Sequence, residues 1–299
     1  MRRMSAPWLM VGATLLFATM GVCVKLASAS YPAGEIAFYR GLVGMAIASG
    51  WVGLRGGTLR TALPAMHFWR SAVGVSSLIL WFHAFAGLPL ATAMTLNYMS
   101  SVWMALFMIG GAVLLGSARV DGRLVAAVLV GFAGVALVLR PTIGDEQLWY
   151  GLAGLVSGML AALAYLQVTA LSRAGEPEAR IVFYFSVGTV AVGAATMAWS
   201  GASAHTASGL ALLLAIGVLA TAAQMLMTRA YAIGRTLSNA SLQYLGIIFA
   251  TGYGVLLFGD ALTWSALAGM LLIVIAGLGA TLLRARSTPA TTPSTSPPP

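Results

Sequence analysis

Apolar windows alternate with short polar connections along almost the whole chain, near 7–28, 34–54, 66–87, 90–114, 121–139, 148–170, 180–200, 208–231, 236–258 and 263–283. A helix needs about 20 apolar residues to cross a hydrocarbon core, so the pattern predicts an all-α membrane protein of about ten transmembrane helices. The separators carry turn residues: Tyr31-Pro32, Arg55-Gly56-Gly57, Gly87-Leu88-Pro89, Asp121-Gly122, Arg140-Pro141 and Gly175-Glu176-Pro177. None is long enough for a soluble domain. From Ser287 the pattern stops, and the segment STPATTPSTSPPP, 287–299, has the composition of a disordered tail.

The first window imitates a secretory signal, because Arg2-Arg3 precede it and Ala27-Ser28-Ala29 follow it. Its apolar run, Trp8 to Leu26, exceeds the roughly 7–15 residues of a signal core, and Lys25 stands where a cleavage region is small and neutral. An uncleaved first helix is expected. Composition agrees with a membrane chain: 60% of residues are hydrophobic and 8% charged, against about 25% charged in soluble domains. The net charge of +9 would suggest nucleic acid in a soluble protein. Here the arginines sit in short connections, where topology explains them, and no nucleic-acid partner is expected. The single cysteine, Cys23, rules out an intrachain disulfide and a cysteine-based zinc site.

Charge also orients the chain. Arg2, Arg3, Arg55, Arg60, Arg70, Arg119, Arg123, Arg173, Arg180, Arg229, Arg235, Arg284 and Arg286 fall on the side of the N-terminus, against Lys25, Arg40 and Arg140 on the other. Thirteen against three is a strong positive-inside bias, which predicts cytoplasmic N- and C-termini. The chain is also internally duplicated. FHAFAGLPLATAMTLNY (82–98) aligns without a gap on TRAYAIGRTLSNASLQY (228–244), pairing Tyr98 with Tyr244 at a separation of 146 (244 − 98) and Asn97 with Gln243. Phe38-Tyr39 pairs with Phe183-Tyr184 at 145. Each half, 7–139 and 148–284, holds about five spans. An odd number inverts the second half relative to the first, the architecture of many secondary transporters with a midplane site between the halves.

Polar groups are costly in lipid, so those inside the windows are the candidates for chemistry. Asn97 and Gln243 occupy equivalent repeat positions, each followed by a tyrosine, Tyr98 and Tyr244. Facing a shared cavity, their amides would donate to a carboxylate or accept from an ammonium. The competing reading is a hydrogen bond between helices that holds the halves together. His83, Trp81, Tyr165 and Gln224 are further cavity candidates, each with a packing or interfacial alternative. Arg40 lies about six residues into its helix and its repeat mate is Phe185. It is read either as snorkelling to the interface or, with Lys25, as a gating or structural residue that pairs with helix-end carbonyls or Glu35. Gly41, Gly44 and the run Gly269 through Gly277 signal close helix contacts.

Catalysis lacks its machinery: HExxH, GxSxG, GxxxxGK[ST] and paired acids within one span do not occur, so no enzyme, metal or cofactor is expected. A channel would need a filter or charged ring that the sequence does not offer. No carboxylate lies deep in a span, which points to facilitated movement down the substrate's own gradient or to a coupling that the residues do not display.

The opening helix ending in Lys25, Pro32, the FYR of Phe38-Tyr39-Arg40, Ala84-Phe85-Ala86 leading into Leu90-Ala91-Thr92-Ala93, and Leu114-Leu115-Gly116 resemble the EamA-type repeat of the drug/metabolite transporter superfamily. Ala230-Tyr231-Ala232, Ser238-Asn239-Ala240 and Phe258-Gly259-Asp260 repeat it. Ser117, where an acid is usual, and Phe185, where the FYR arginine is usual, depart from it. Within the superfamily the layout is most similar to the bacterial aromatic amino acid exporters. The resemblance implies a bacterial inner-membrane exporter of amino acids, aromatic ones foremost, and related small metabolites, embedded in lipid as a monomer or weak homo-oligomer. It also implies a cavity enclosed by the first, third, fourth, sixth, eighth and ninth helices, with the fifth and tenth outside. A drug or nucleotide-sugar carrier, or a lipid flippase, is the alternative.

Overall fold

The computed structural model describes residues 5–114, 122–139, 145–234, 239 and 242–287. Ser117, Arg140, Ser238 and the tail 288–299 lie outside the described residues. Eleven helices are described: α1 Ala6–Ala27, α2 Ala33–Leu54, α3 Pro64–Gly87, α4 Leu90–Tyr98, α5 Ser100–Leu114, α6 Gly122–Leu139, α7 Asp145–Arg173, α8 Glu178–Ser200, α9 Ala207–Ile233, α10 Leu245–Phe258 and α11 Trp264–Ser287. Five of them, α1, α2, α8, α9 and Gln147–Arg173 of α7, are long and apolar enough to cross a membrane. Helix is the conformation the composition demands, because it satisfies the backbone within one segment.

Prolines start the helices where the separators placed them. Pro32, Pro89 and Pro177 stand at the N-caps of α2, α4 and α8 in extended conformation, and proline's missing N–H costs nothing there. Leu54, Trp199, Leu256 and Trp264 are at least four-fifths exposed. In water they would form a large apolar surface; against lipid they are the contact layer, with the tryptophans near helix ends where interfacial aromatics collect.

The most extensive packing joins α2 to α8, α3 to α7, α6 to α11 and α1 to α9. Between α2 and α8 the backbones nearly touch. A Cβ on Gly193 would stand 2.7 Å from the Cα of Phe38, and one on Gly41 would stand 2.9 Å from the backbone nitrogen of Val190. Similarly, Gly134 of α6 lies against the carbonyl of Gly269 in α11.

The structure differs from the sequence pattern at the fourth and ninth windows, which read as continuous helices. The fourth is interrupted at Met99 between α4 and α5, and the ninth at Gln243-Tyr244 before α10. Both interruptions tighten to i→i+3 bonds: Val102 N–H to Met99 O at 2.9 Å, Gly246 N–H to Gln243 O at 2.9 Å, and Ile247 N–H to Tyr244 O at 3.0 Å. They fall directly at the duplicated Asn-Tyr and Gln-Tyr pairs.

Candidate functional site

A small cavity lies among the helices of the bundle. Each of α1, α2, α3, α4, α7, α8 and α9 contributes to its wall, together with Gln243 at the second interruption. Its free volume is about 50 Å³, room for a few water-sized groups and no more. The face that α3 turns to it is a helical stripe: Arg70, Gly74, Ser77, Leu78 and Trp81. Helices α2 and α8 also contribute, through Arg40 and Phe185, beyond the six helices expected. Among the described residues, none from the fifth and tenth windows, α6 and α11, lines it.

One wall is cationic. The guanidinium carbons of Arg40 and Arg70 lie 4.9 and 4.2 Å from the centroid of the Phe185 ring. The sequence match that sets Phe38-Tyr39 against Phe183-Tyr184 pairs Arg40 with Phe185 (185 − 40 = 145), so the arginine rests on the residue with which that match aligns it. Arg40 and Arg70 are 4% and 2% exposed. Glu35 does not pair with Arg40. Its carboxylate accepts from Ser203 N–H at 3.1 Å and Ser203 Oγ at 2.7 Å, and sits 3.1 Å from His205 Nε2.

The other wall is neutral. Asn97 Nδ2 donates to Ser157 Oγ at 3.0 Å, and Ser157 in turn donates to Gly154 O. Gln243 Nε2 donates to Tyr231 Oη at 3.1 Å, and Tyr231 stacks on Tyr165 with ring centroids 5.8 Å apart. Trp81 Nε1 donates to Ala93 O at 3.3 Å. Oη of Tyr98, Nε2 of Gln224 and Oε1 of Gln243 are buried with no hydrogen-bond partner. Gly158 of α7 lies flat against the carbonyls of Leu96 and Asn97, which lets α7 support the first interruption.

The structure therefore brings Asn97, Tyr98, Gln243, Trp81, Tyr165, Gln224 and Arg40 to one cavity. It places three other candidates elsewhere. His83 is on the outside of α3, its ring 4.6 Å from that of Tyr150. Tyr244 borders an apolar groove between α10 and α11. Lys25 belongs to a cluster at the end of the bundle. Its Nζ donates to Leu88 O at 3.0 Å and stands 3.7 Å from Asp260 Oδ1, while Asp260 Oδ2 accepts from Leu90 N–H at the start of α4.

A second cluster closes the opposite end. Glu176 accepts from Thr61 Oγ1 at 2.7 Å and from Arg180 Nη1 at 3.0 Å, with His67 Nε2 at 3.2 Å. Burial alone would raise the Glu176 carboxyl, but these hydrogen bonds outweigh it and hold its pKa below the ordinary value. Sequence reasoning missed Arg70, which reads as a connection arginine at the start of a span. The signal that finds it is the α3 stripe, in which Gly74 leaves space for the Arg70 guanidinium.

No family model matches the chain. Two proteins named pseudopaline exporter CntI, from two strains of Pseudomonas aeruginosa, are 33% and 32% identical over 269 and 268 residues, covering 90% of this chain and 93% of each relative. A riboflavin transporter of Rhizobium johnstonii is 30% identical over 174 residues, 58% of this chain and 56% of the relative. One protein crystal structure, 21% identical, matches with a TM-score of 0.67 over 93% of this chain and 97% of its own, a likeness of fold.

Proposed function

The chain belongs to the family of membrane transporters that includes the pseudopaline exporter CntI, and from that premise we propose that it exports a small amino-acid-like metabolite across the bacterial inner membrane by alternating access. The observation that carries this reading is the cavity. It is walled by residues from both halves of the chain and placed where two helices are interrupted. Interrupted helices beside a midplane cavity are how secondary transporters offer polar groups to a substrate.

We read the bundle as ten spans in two inverted EamA-type repeats with both termini cytoplasmic. The helix pairing supports this. A two-fold exchange of the halves keeps the second span on the seventh (α2 on α8) and the fifth on the tenth (α6 on α11). It also turns the first-on-eighth contact (α1 on α9) into the sixth-on-third (α7 on α3), and these four are the dominant contacts. Lys25–Asp260 ties one end of the bundle and the Glu176 cluster the other, and transport requires releasing one cluster at a time. Phe17, Trp81, Tyr165 and Phe185 suit an aromatic body.

The test is efflux of a panel of amino acids and amino-acid conjugates from cells expressing the chain, compared with Asn97→Ala and Gln243→Ala at equal expression. Efflux above control that falls about tenfold in each variant, the loss of one polar contact of about 1.4 kcal/mol, is the expected result. Unchanged efflux in both variants would assign the two amides to helix packing. A nucleotide-sugar carrier gains a little support from Arg70, because its diphosphate needs cationic groups in the cavity.

A further inference from the structure

Arg40 and Arg70 carry two positive charges in the cavity wall, and among the described residues neither has a counter-charge. Nε of Arg40 and Nε and Nη1 of Arg70 make no hydrogen bond. Among the described residues neither arginine forms an ion pair, and none of the residues lining the cavity is acidic. Glu35, Glu176, Glu178 and Asp260 are engaged elsewhere, with His205, Arg180, Arg229 and Lys25. The Phe185 ring offsets part of the cost through its cation–π contacts with both guanidinium groups. Burying an ion without a partner is unfavourable, and here two like charges share one wall. Gly74 sharpens the point: a Cβ there would collide with the Arg70 guanidinium, so the chain leaves room for a charge that it does not neutralise. The missing partner is a group that comes and goes.

We infer that the cargo is a small molecule with at least two carboxylates and a net negative charge. Once the cavity has opened beyond its present free volume of about 50 Å³, Arg40 and Arg70 each hold one carboxylate, and the apolar body lies against Phe17, Trp81 and Phe185. This rests on the export reading above. A guanidinium fork matches a carboxylate through two parallel hydrogen bonds, and two forks take two carboxylates. A simple zwitterionic amino acid fills one fork, leaves the other unpaired, and sets its ammonium beside a spare guanidinium with no acid to receive it. On the neutral wall, Tyr98 Oη, Gln224 Nε2 and Gln243 Oε1 remain free to meet amine, hydroxyl or amide groups of the same molecule.

The experiment uses the full chain in nanodiscs and four probes that share a phenyl ring: benzylsuccinate with two carboxylates, phenylalanine as the zwitterion, phenyl phosphate, and phenethylammonium. Thermal unfolding reports binding, because a ligand that binds only the folded form raises Tm. Benzylsuccinate is expected to raise Tm most, and Arg40→Gln or Arg70→Gln to weaken its binding about 30-fold or more. Without ligand, both substitutions are expected to raise Tm, since each removes an unpaired buried charge. A lowered ligand-free Tm or failure to fold makes the arginine structural and overturns the inference. So does an equal or larger response to phenylalanine or phenyl phosphate, or none to benzylsuccinate. Flux in liposomes separates the two claims. Binding of the dicarboxylate without flux keeps the inference and sinks the export reading, whereas flux that favours phenylalanine does the opposite.

Discussion

Lys25 at one end of the bundle and the Arg40–Arg70 pair in its middle are basic side chains set among apolar helices, and the fold treats them in opposite ways. Lys25 has an acid, a carbonyl and an aromatic face: Asp260, Leu88 O, and the Phe258 ring at 4.9 Å. The arginines have one ring between them. Asp260 also accepts from the first N–H of α4, so the lysine cluster ties α1, α4 and the α10–α11 connection together. A charge whose partners are all within the chain fastens helices. A charge whose partner is missing waits for a ligand. The Glu176 cluster repeats the first pattern at the other end, and the cavity between them repeats the second.

The largest break in this comparison is Gly158→Leu. Any side chain at 158 stands 2.5 Å from Leu96 O and 2.9 Å from Asn97 O, so it must push α4 off α7 and distort the interruption that carries Asn97. A loss of about 3 kcal/mol in thermal stability is expected, at the upper end of overpacking effects. Asp260→Ala comes next. It leaves Lys25 without its acid and α4 without a cap, with an expected loss of about 2 kcal/mol, between an exposed pair and a buried one. If stability is unchanged, the end cluster is not a fastening. The charge-conserving pair Lys25→Arg with Asp260→Glu is expected to recover most of the loss.

Acid provides a milder test. The Glu176 carboxyl has its pKa depressed in the folded chain, so its contribution is complete above the ordinary carboxylate pKa and is lost as pH falls through the depressed value. Unfolding curves of wild type and Glu176→Gln are expected to differ by about 1 kcal/mol at neutral pH and to converge in strong acid. A difference that grows on acidification would reverse the sign and refute the assignment. The smallest effect belongs to Arg229–Glu178, where the arginine side chain is 49% exposed: Arg229→Ala is expected to shift stability by no more than about 0.5 kcal/mol.

What the sequence reveals and hides follows the same division. Helix positions and separators are legible because hydrophobic length and proline placement act locally, as at Pro32 and Pro177. Asn97 and Gln243 are legible as cavity-lining positions, since the match between 82–98 and 228–244 singles them out. The interruptions beside them are not, since Asn97-Tyr98-Met99-Ser100 contains neither proline nor glycine, and the support comes from Gly158 on another helix. Arg70 is hidden by its neighbourhood, a span start rich in arginine-bearing connections. His83 looks like a cavity residue because it lies beside Trp81, yet the helical turn carries it about 200° around α3 at 3.6 residues per turn, to the outside and onto Tyr150.

Alternating access requires the cavity to open to each side of the membrane in turn, and the protein's single cysteine makes that measurable. In a Cys23→Ser background, Ser77→Cys places a thiol on the α3 stripe of the cavity, and a membrane-impermeant thiol reagent is applied from one side and then the other. Labelling from both sides, slowed by benzylsuccinate, is the expected result. A thiol that reacts from one side only, at a rate no ligand changes, would contradict alternating access through this cavity.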